Sequence, residues 1–149
     1  MTHTPAPTPT PRAGHPVRVP VLWGLAFGAI QAASPLALWW LDQSTVQALL
    51  LALIAAVYIG FAVADGRPKV IAVECTVAGA FLLLAAAGVT GSAWLLVLGY
   101  AGHGLKDSWQ ERSHYVAGTR WWPPFCAAVD WLVAMVFVIE IAVGAGFHH

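Results

Sequence analysis

Charged side chains are scarce in this sequence. Of its 149 residues only 9% are Asp, Glu, Lys or Arg, whereas hydrophobic residues make up 59%. A soluble domain carries about 25% charged residues, so the composition excludes an ordinary soluble domain and indicates transmembrane helices. The length allows one compact membrane domain and no second folded domain.

Other common signals of function are missing as well. The formal net charge is zero, so the chain has no overall basic field, and we do not expect nucleic acid as a partner. Zinc-finger spacing and Gly-rich phosphate loops are absent from the sequence. Its two cysteines, Cys75 and Cys126, are too few for a secreted disulfide scaffold.

The chain divides into a polar tail and a region of five apolar runs. Residues 1–18 are rich in proline and threonine, which predicts a disordered cytoplasmic tail. Residues 19–149 are predicted to form the transmembrane helical domain, because each run is close to the roughly 20 residues that cross a bilayer as a helix. The predicted spans are 19–41, 46–64, 70–88, 92–112 and 125–147, and Pro35 predicts a kink in the first of them.

The basic residues predict the orientation of this five-helix bundle. Five spans place the N-terminal tail, the second loop and the fourth loop on one side of the membrane. With the adjoining end of the fourth helix, that side holds all seven Lys and Arg residues. The positive-inside rule then places the N-terminus in the cytoplasm and the C-terminus outside, in a multi-pass protein of the cytoplasmic membrane. Residues 12–33 also resemble a signal peptide, but they contain no A-x-A cleavage site, and the apolar run continues beyond them.

Acidic and imidazole side chains share one face of the predicted fourth helix, in the stretch GYAGHGLKDSWQERSHY. At about 100° per residue, positions 100, 103, 107, 111 and 114 fall within about 80° of one another. Lys106 and Arg112 project elsewhere. The residues that share the face are Tyr100, His103, Asp107, Glu111 and His114.

Other spans bring carboxylates to a similar depth. Glu74, Asp107 and Asp130 lie about 6 to 7 Å inside the cytoplasmic ends of their spans. His103 lies about 13 Å inside, and Tyr58 of the second span lies deeper than the carboxylates. Ionisable groups inside a membrane face the bundle interior and are paired. Several carboxylates in one layer would repel one another unless a cation or shared protons relieved the repulsion.

Carboxylates and imidazoles on facing helices are the ligands of metal sites in helical bundles. We therefore expect a divalent first-row transition metal, namely iron, zinc or manganese. The expected ligands are Glu74, His103, Asp107 and Asp130. The residues expected to act as outer ligand or general base are Glu111 and His114, which form an E-x-x-H pair. The side chains expected to contact substrate or to support the ligands are Tyr58 and Tyr100.

Three functions are compatible with this pattern. The leading hypothesis is a metal-dependent membrane enzyme that acts on a lipid-soluble substrate. Alternatively, the same groups relay protons or bind a transported cation in a small, oligomeric transporter or channel subunit, which a polar path reaching Glu140 would favour. A structural subunit of a membrane complex is the third hypothesis, in which Lys106 or Arg112 pairs with a buried carboxylate and no activity is needed.

Short motifs between residues 58 and 130 resemble those of a known family. They are Tyr58-x-Gly60, Glu74-Cys75, Trp94-Leu95-Leu96, His103-x-x-x-Asp107 with a following His114, and Cys126-Ala127-x-x-Asp130. The chain resembles a family of small bacterial integral-membrane proteins, known only as a domain of unknown function, over residues 58–130. The resemblance implies an inner-membrane protein but no activity. The residues that it assigns to one site are Tyr58, Glu74, His103, Asp107 and Asp130.

Overall fold

The computed structural model describes residues 17–144, and within that range it contains five α-helices and no strand. The helices are α1 (Arg18–Ala37), α2 (Gln43–Asp65), α3 (Pro68–Thr90), α4 (Trp94–Ser113) and α5 (Trp122–Ala142). The predicted all-helical fold of five helices is thereby confirmed. The predicted disordered tail, apart from residues 17 and 18, lies outside the described residues, as do the last residues of the predicted fifth span.

Four of the helices, α1, α2, α3 and α5, are long and apolar enough to cross a membrane, which indicates a membrane protein. Their outer faces expose many large apolar side chains, among them Trp23, Leu36 and Leu83. Such surfaces suit contact with lipid rather than water. α4 has a similar length but is less apolar, because its second half contains Lys106, Asp107, Glu111 and Arg112.

Local signals determine where α2 and α5 begin. Asp42 caps α2, with Oδ1 accepting a hydrogen bond from the backbone N–H of Thr45 at 2.8 Å. α5 begins at Trp122, earlier than predicted, with prolines in its first turn. Because backbone N–H groups in the first turn have no helical partner, Pro123 and Pro124 fit there without loss of a hydrogen bond.

Pro35 lies inside α1 and changes the hydrogen bonding of the preceding turn. Because proline has no N–H, the carbonyl of Gln31 lacks its usual helical donor. That oxygen instead accepts hydrogen bonds from Ser34 Oγ at 2.6 Å and from Gln47 Nε2 at 3.4 Å. The second bond links α1 to α2, and α1 ends at Ala37, before the predicted end of the run.

The helix α1 packs mainly against α5 and only weakly against α2, its neighbour along the chain. The other extensive interfaces, α2–α3 and α4–α5, do join consecutive helices. Gly24 permits the contact between α1 and α5, since a Cβ at this position would lie 2.3 Å from the carbonyl oxygen of Phe125. A residue without a side chain therefore lets the two backbones approach closely.

The interface between α4 and α5 forms the buried centre of the protein, with Leu96, Tyr100 and Phe137 in its apolar core. Below this core Gly104 brings α4 close to α5. A Cβ at residue 104 would lie 3.3 Å from Cβ of Asp130. This close approach places the polar half of α4 directly beside Asp130.

Candidate metal site

Three buried side chains from two helices form the centre of the candidate site. His103 and Asp107 occupy successive turns of α4, and Asp130 belongs to α5. The spacing of four residues places the first two on one helical face. One ligand atom of each residue lies within 4.8 Å of the others, so the group could hold a metal ion. We call His103, Asp107 and Asp130 the triad.

The imidazole of His103 lies between the two carboxylates. Its Nδ1 atom is 2.8 Å from Oδ2 of Asp130, in a hydrogen bond, and 3.3 Å from Oδ2 of Asp107. The rings of Phe81 and Tyr58 pack against the imidazole, with centroid distances of 4.9 Å and 5.8 Å. Only 1% of His103 and none of either aspartate is exposed, so the triad is shielded from the surface of the bundle.

Several polar atoms at the triad have no hydrogen-bond partner among the residues described. They are both carboxylate oxygens of Asp107, Oδ1 of Asp130 and the hydroxyl of Tyr58. Buried polar groups are nearly always hydrogen-bonded in native proteins, and a membrane interior supplies no water to replace a missing partner. A bound cation or a bound proton would therefore supply the partner that the buried carboxylate oxygens lack.

Glu74 belongs to a neighbouring cluster. Its Oε1 atom accepts a hydrogen bond from Gln110 Nε2 at 2.6 Å, and its Oε2 atom lies 2.9 Å from Nζ of Lys106. The ammonium group of Lys106 stands 3.4 Å from the centroid of the Tyr58 ring, in a cation–π contact. We call Glu74, Lys106, Gln110 and Tyr58 the lysine cluster. Glu74 is not among the three residues that could together hold the ion.

The lysine cluster contains residues that sequence reasoning placed elsewhere or missed. Lys106 was expected to project away from the polar face, but its long side chain turns toward α3 and joins the buried layer. The alternative in which Lys106 pairs with Glu74 is therefore present in the structure. Gln110 was not predicted, although its spacing of seven residues from His103 is a helical repeat that places both on one face.

The expected catalytic residues Glu111 and His114 do not join the triad. α4 ends at Ser113, and His114 adopts a left-handed conformation with φ 51°. Its exposed ring has Nδ1 3.3 Å from the carbonyl oxygen of Arg112. The prediction that His114 shares the polar face is wrong, because it assumed that the helix continued through residue 114. Glu111 is partly exposed in the last turn of α4.

Tyr100 lies on the predicted face but belongs to a separate polar network. Its hydroxyl donates a hydrogen bond to the backbone carbonyl of Gln47 and accepts one from Gln31 Nε2, both at 2.9 Å. The ring packs edge-on against Phe137, with centroids 5.6 Å apart. The hydroxyl is therefore occupied in holding α1, α2 and α4 together, unlike the hydroxyl of Tyr58.

An ion pair outside the spans closes the end of the bundle nearest the lysine cluster. Arg67 Nε lies 2.6 Å from Oδ1 of Asp65, and Arg67 Nη2 donates a hydrogen bond to the carbonyl oxygen of Tyr115 at 2.6 Å. Oδ2 of Asp65 accepts a hydrogen bond from the backbone N–H of Ala117 at 2.7 Å. The hydrogen bonds to Asp65 raise the pKa of Arg67 above its usual value. Together these contacts tie the link between α2 and α3 to the segment that follows α4.

No family model matches the chain, and comparisons with curated proteins and with solved structures also found no match. The class of the protein therefore follows from its fold and its site. Over residues 17–144 it is all-helical, with four helices able to cross a membrane and a buried His–Asp–Asp group that could hold a metal ion.

Proposed function

We propose that this protein is a metal-dependent membrane enzyme that acts on a lipid-soluble substrate, with His103, Asp107 and Asp130 as the ligands. The observation that carries the proposal is the meeting of one imidazole and two carboxylates, all buried, within 4.8 Å. The carboxylate oxygens without hydrogen-bond partners support it, because a cation would bind them directly. Iron, zinc and manganese all accept this mixture of nitrogen and oxygen ligands.

The charge of the buried layer also supports a divalent cation. The layer contains the carboxylates of Glu74, Asp107 and Asp130 and the ammonium group of Lys106. Histidine binds metal in its neutral form, so three negative charges and one positive charge leave two negative charges in excess. Charge inside a membrane protein is costly unless it is compensated. One divalent ion would compensate this excess.

The triad would leave part of the coordination shell free. Catalytic metal sites commonly have three protein ligands and an open position for water or substrate. A metal there would act as a Lewis acid or would activate a bound water. Tyr58 packs against His103, and its hydroxyl, which has no hydrogen-bond partner, would donate a hydrogen bond to a molecule bound beside the triad. Glu111 and His114 have no role in this proposal.

Metal content tests this function directly. We expect protein purified in detergent to contain a stoichiometric first-row metal by mass spectrometry. Asp107→Asn and Asp130→Asn should lose the metal, whereas the control Tyr100→Phe should keep it, because the Tyr100 hydroxyl is bonded outside the triad. Folded wild-type protein that remains metal-free after incubation with iron, zinc and manganese would overturn the proposal.

We also propose that all five helices cross a bacterial inner membrane, with the N-terminus in the cytoplasm. This topology places every Lys and Arg residue on one side and the triad within the membrane. Ser92 and Gly118 are both exposed and would lie on opposite sides. In a background lacking the native cysteines, a membrane-impermeant maleimide should label Ser92→Cys in intact cells and leave Gly118→Cys unlabelled. The reverse labelling would contradict the orientation.

A second candidate function, proton- or cation-coupled transport, is favoured by polar groups farther along the bundle. Beyond the triad lie the network of Tyr100, Gln31 and Gln47 and a hydrogen bond of 2.7 Å from Gln43 Nε2 to Glu140 Oε2. Groups of this kind line ion pathways in membrane proteins. Proton uptake by proteoliposomes that is lost in both Asp130→Asn and Glu140→Gln would favour transport over the enzyme.

A further inference from the structure

The lysine cluster contains hydrogen-bond donors that the described residues do not use. Nζ of Lys106 and the hydroxyl of Tyr58 are both buried and lack a hydrogen-bond partner. The ammonium group forms an ion pair with Glu74 at 2.9 Å, but an ammonium carries three N–H groups. Both side chains can therefore donate to an additional oxygen acceptor.

These donors lie directly beside the triad. The ammonium group is 3.4 Å from the centroid of the Tyr58 ring, and that ring packs edge-on against His103. The hydroxyl of Tyr58 interacts electrostatically with Asp107 and Asp130, and it has Asp107 as a competing hydrogen-bond acceptor. A molecule held by Lys106 and Tyr58 would consequently have its polar group next to the proposed metal.

Charge determines which polar group fits this position. The positive charge of Lys106 is already matched by Glu74. Once the proposed divalent ion has compensated the layer, a carboxylate or phosphate would bring a negative charge that no remaining cation balances, and an ammonium would be repelled by Lys106. An uncharged carbonyl oxygen accepts hydrogen bonds from both donors and leaves the charge of the layer unchanged.

Access from the bilayer is possible at the same point. Lys106 lies where α4 meets Glu74 of α3, and its side chain retains 12% exposure, whereas that of Glu74 retains 2%. The neighbouring Leu105 and Val73 are exposed on the outside of these helices. The exposed part of Lys106 is its methylene stem, since Nζ is buried, so a lipid-soluble molecule that enters from the apolar outer surface would reach the ammonium group along this stem.

We propose that Lys106 and Tyr58 bind the carbonyl oxygen of an uncharged, lipid-soluble substrate beside the triad. The inference rests on the proposed enzyme for the chemistry that follows binding, but the binding itself needs only the two donors. Binding can thus be measured in metal-free protein, which separates a failure of this inference from a failure of the metal site.

The test uses a long-chain methyl ketone, undecanone, with an isotope-labelled carbonyl, and undecanoate as the charged control. Binding to detergent-purified protein is followed by infrared spectroscopy, with and without a chelator. We expect saturable binding of the ketone and a lowered carbonyl stretching frequency, because the bound oxygen accepts hydrogen bonds. Tyr58→Phe should weaken binding about 5- to 10-fold, as the loss of one hydrogen bond does.

Two further variants complete the design. The double variant Lys106→Met with Glu74→Gln removes the second donor without leaving an unpaired charge, and it should reduce the frequency shift, because only the Tyr58 hydroxyl then donates to the carbonyl oxygen. Tyr100→Phe, whose hydroxyl is bonded elsewhere, should bind the ketone as the wild type does. The inference is overturned by an unshifted carbonyl frequency in wild-type protein, by unchanged binding to Tyr58→Phe, or by undecanoate binding as tightly as the ketone.

Discussion

Nδ1 of His103 and Oδ2 of Asp130 lie 2.8 Å apart and join α4 to α5 in the buried centre of the protein. Oδ2 of Asp107 is 3.3 Å from the same nitrogen but forms no hydrogen bond with it. One imidazole nitrogen thus faces two carboxylates, and only that of Asp130 forms a hydrogen bond with it. This asymmetry makes the layer sensitive both to the number of negative charges and to any added cation.

The first prediction concerns Asp130→Asn, which keeps the shape of the side chain and removes one negative charge. Zinc should stabilise the wild-type protein by about 2.7 kcal/mol at a concentration 100 times Kd, and this gain should disappear in the variant. Without metal the variant should unfold at the same or a higher temperature, since repulsion with Asp107 is reduced. Thermal unfolding in detergent provides the measurement, and Glu140→Gln, outside the triad, is the control. Equal stabilisation of wild type and Asp130→Asn by zinc would contradict the assignment.

The second prediction concerns the buried pair of Lys106 and Glu74. Glu74→Gln and Lys106→Met should each reduce the free energy of unfolding by about 3–5 kcal/mol, because each leaves an uncompensated charge in the interior. The double variant should lose less free energy of unfolding than the sum of the losses in the two single variants. A double-mutant cycle measured by denaturant unfolding gives the coupling, and purely additive effects would show that the two groups do not interact.

Helix number and order were predictable, because they depend on the length of apolar runs and on short polar connections. The predicted ends differed where a local signal outweighed hydropathy. Examples are Asp42, which caps α2 within a predicted loop, and Pro123, which occupies the first turn of α5. The pairing of α1 with α5 was not predictable from local sequence, since it depends on which distant backbone fits against Gly24.

The triad was predictable in part, because the spacing of His103 and Asp107 and the depth of Asp130 follow from helix geometry. The neighbours of the triad were less predictable. Lys106 has a side chain long enough to reach another helix, so its Cβ direction did not reveal its partner. The end of α4 depends on the backbone conformation of His114. No residue pattern in that stretch predicts this conformation.

The third prediction follows from that end of α4. His114 has φ 51° and an exposed ring, a conformation that glycine adopts with less strain. His114→Gly should therefore raise the free energy of unfolding by about 0.5–1 kcal/mol, because the relief of strain of about 1–2 kcal/mol exceeds the entropic cost of glycine of about 0.5–1 kcal/mol, and it should leave the metal content unchanged. Chemical denaturation and metal analysis of the same sample measure both effects. Loss of metal in this folded variant would mean that His114 does contribute to metal binding.

The fourth prediction compares two helical glycines. A Cβ on Gly24 would lie 2.3 Å from a backbone oxygen of Phe125, whereas a Cβ on Gly60 would meet nothing within 4 Å. Gly24→Ala should destabilise the protein by about 1–3 kcal/mol, because the helices must separate. Gly60→Ala should stabilise it by up to about 1 kcal/mol through its higher helix propensity. Similar effects in both variants would contradict the close contact between α1 and α5.

The fifth prediction compares two buried tyrosines that differ in the state of their hydroxyl groups. The hydroxyl of Tyr100 forms hydrogen bonds with Gln47 and Gln31, whereas that of Tyr58 forms none with the described residues. Tyr100→Phe should cost about 1–3 kcal/mol of stability, because the Gln31 amide loses its buried partner. Tyr58→Phe should leave the free energy of unfolding nearly unchanged or raise it, since it removes a buried polar group that has no partner. Unfolding of the two variants in the same detergent measures the difference. A larger loss in Tyr58→Phe would mean that the Tyr58 hydroxyl supports the fold and is not free to bind a substrate.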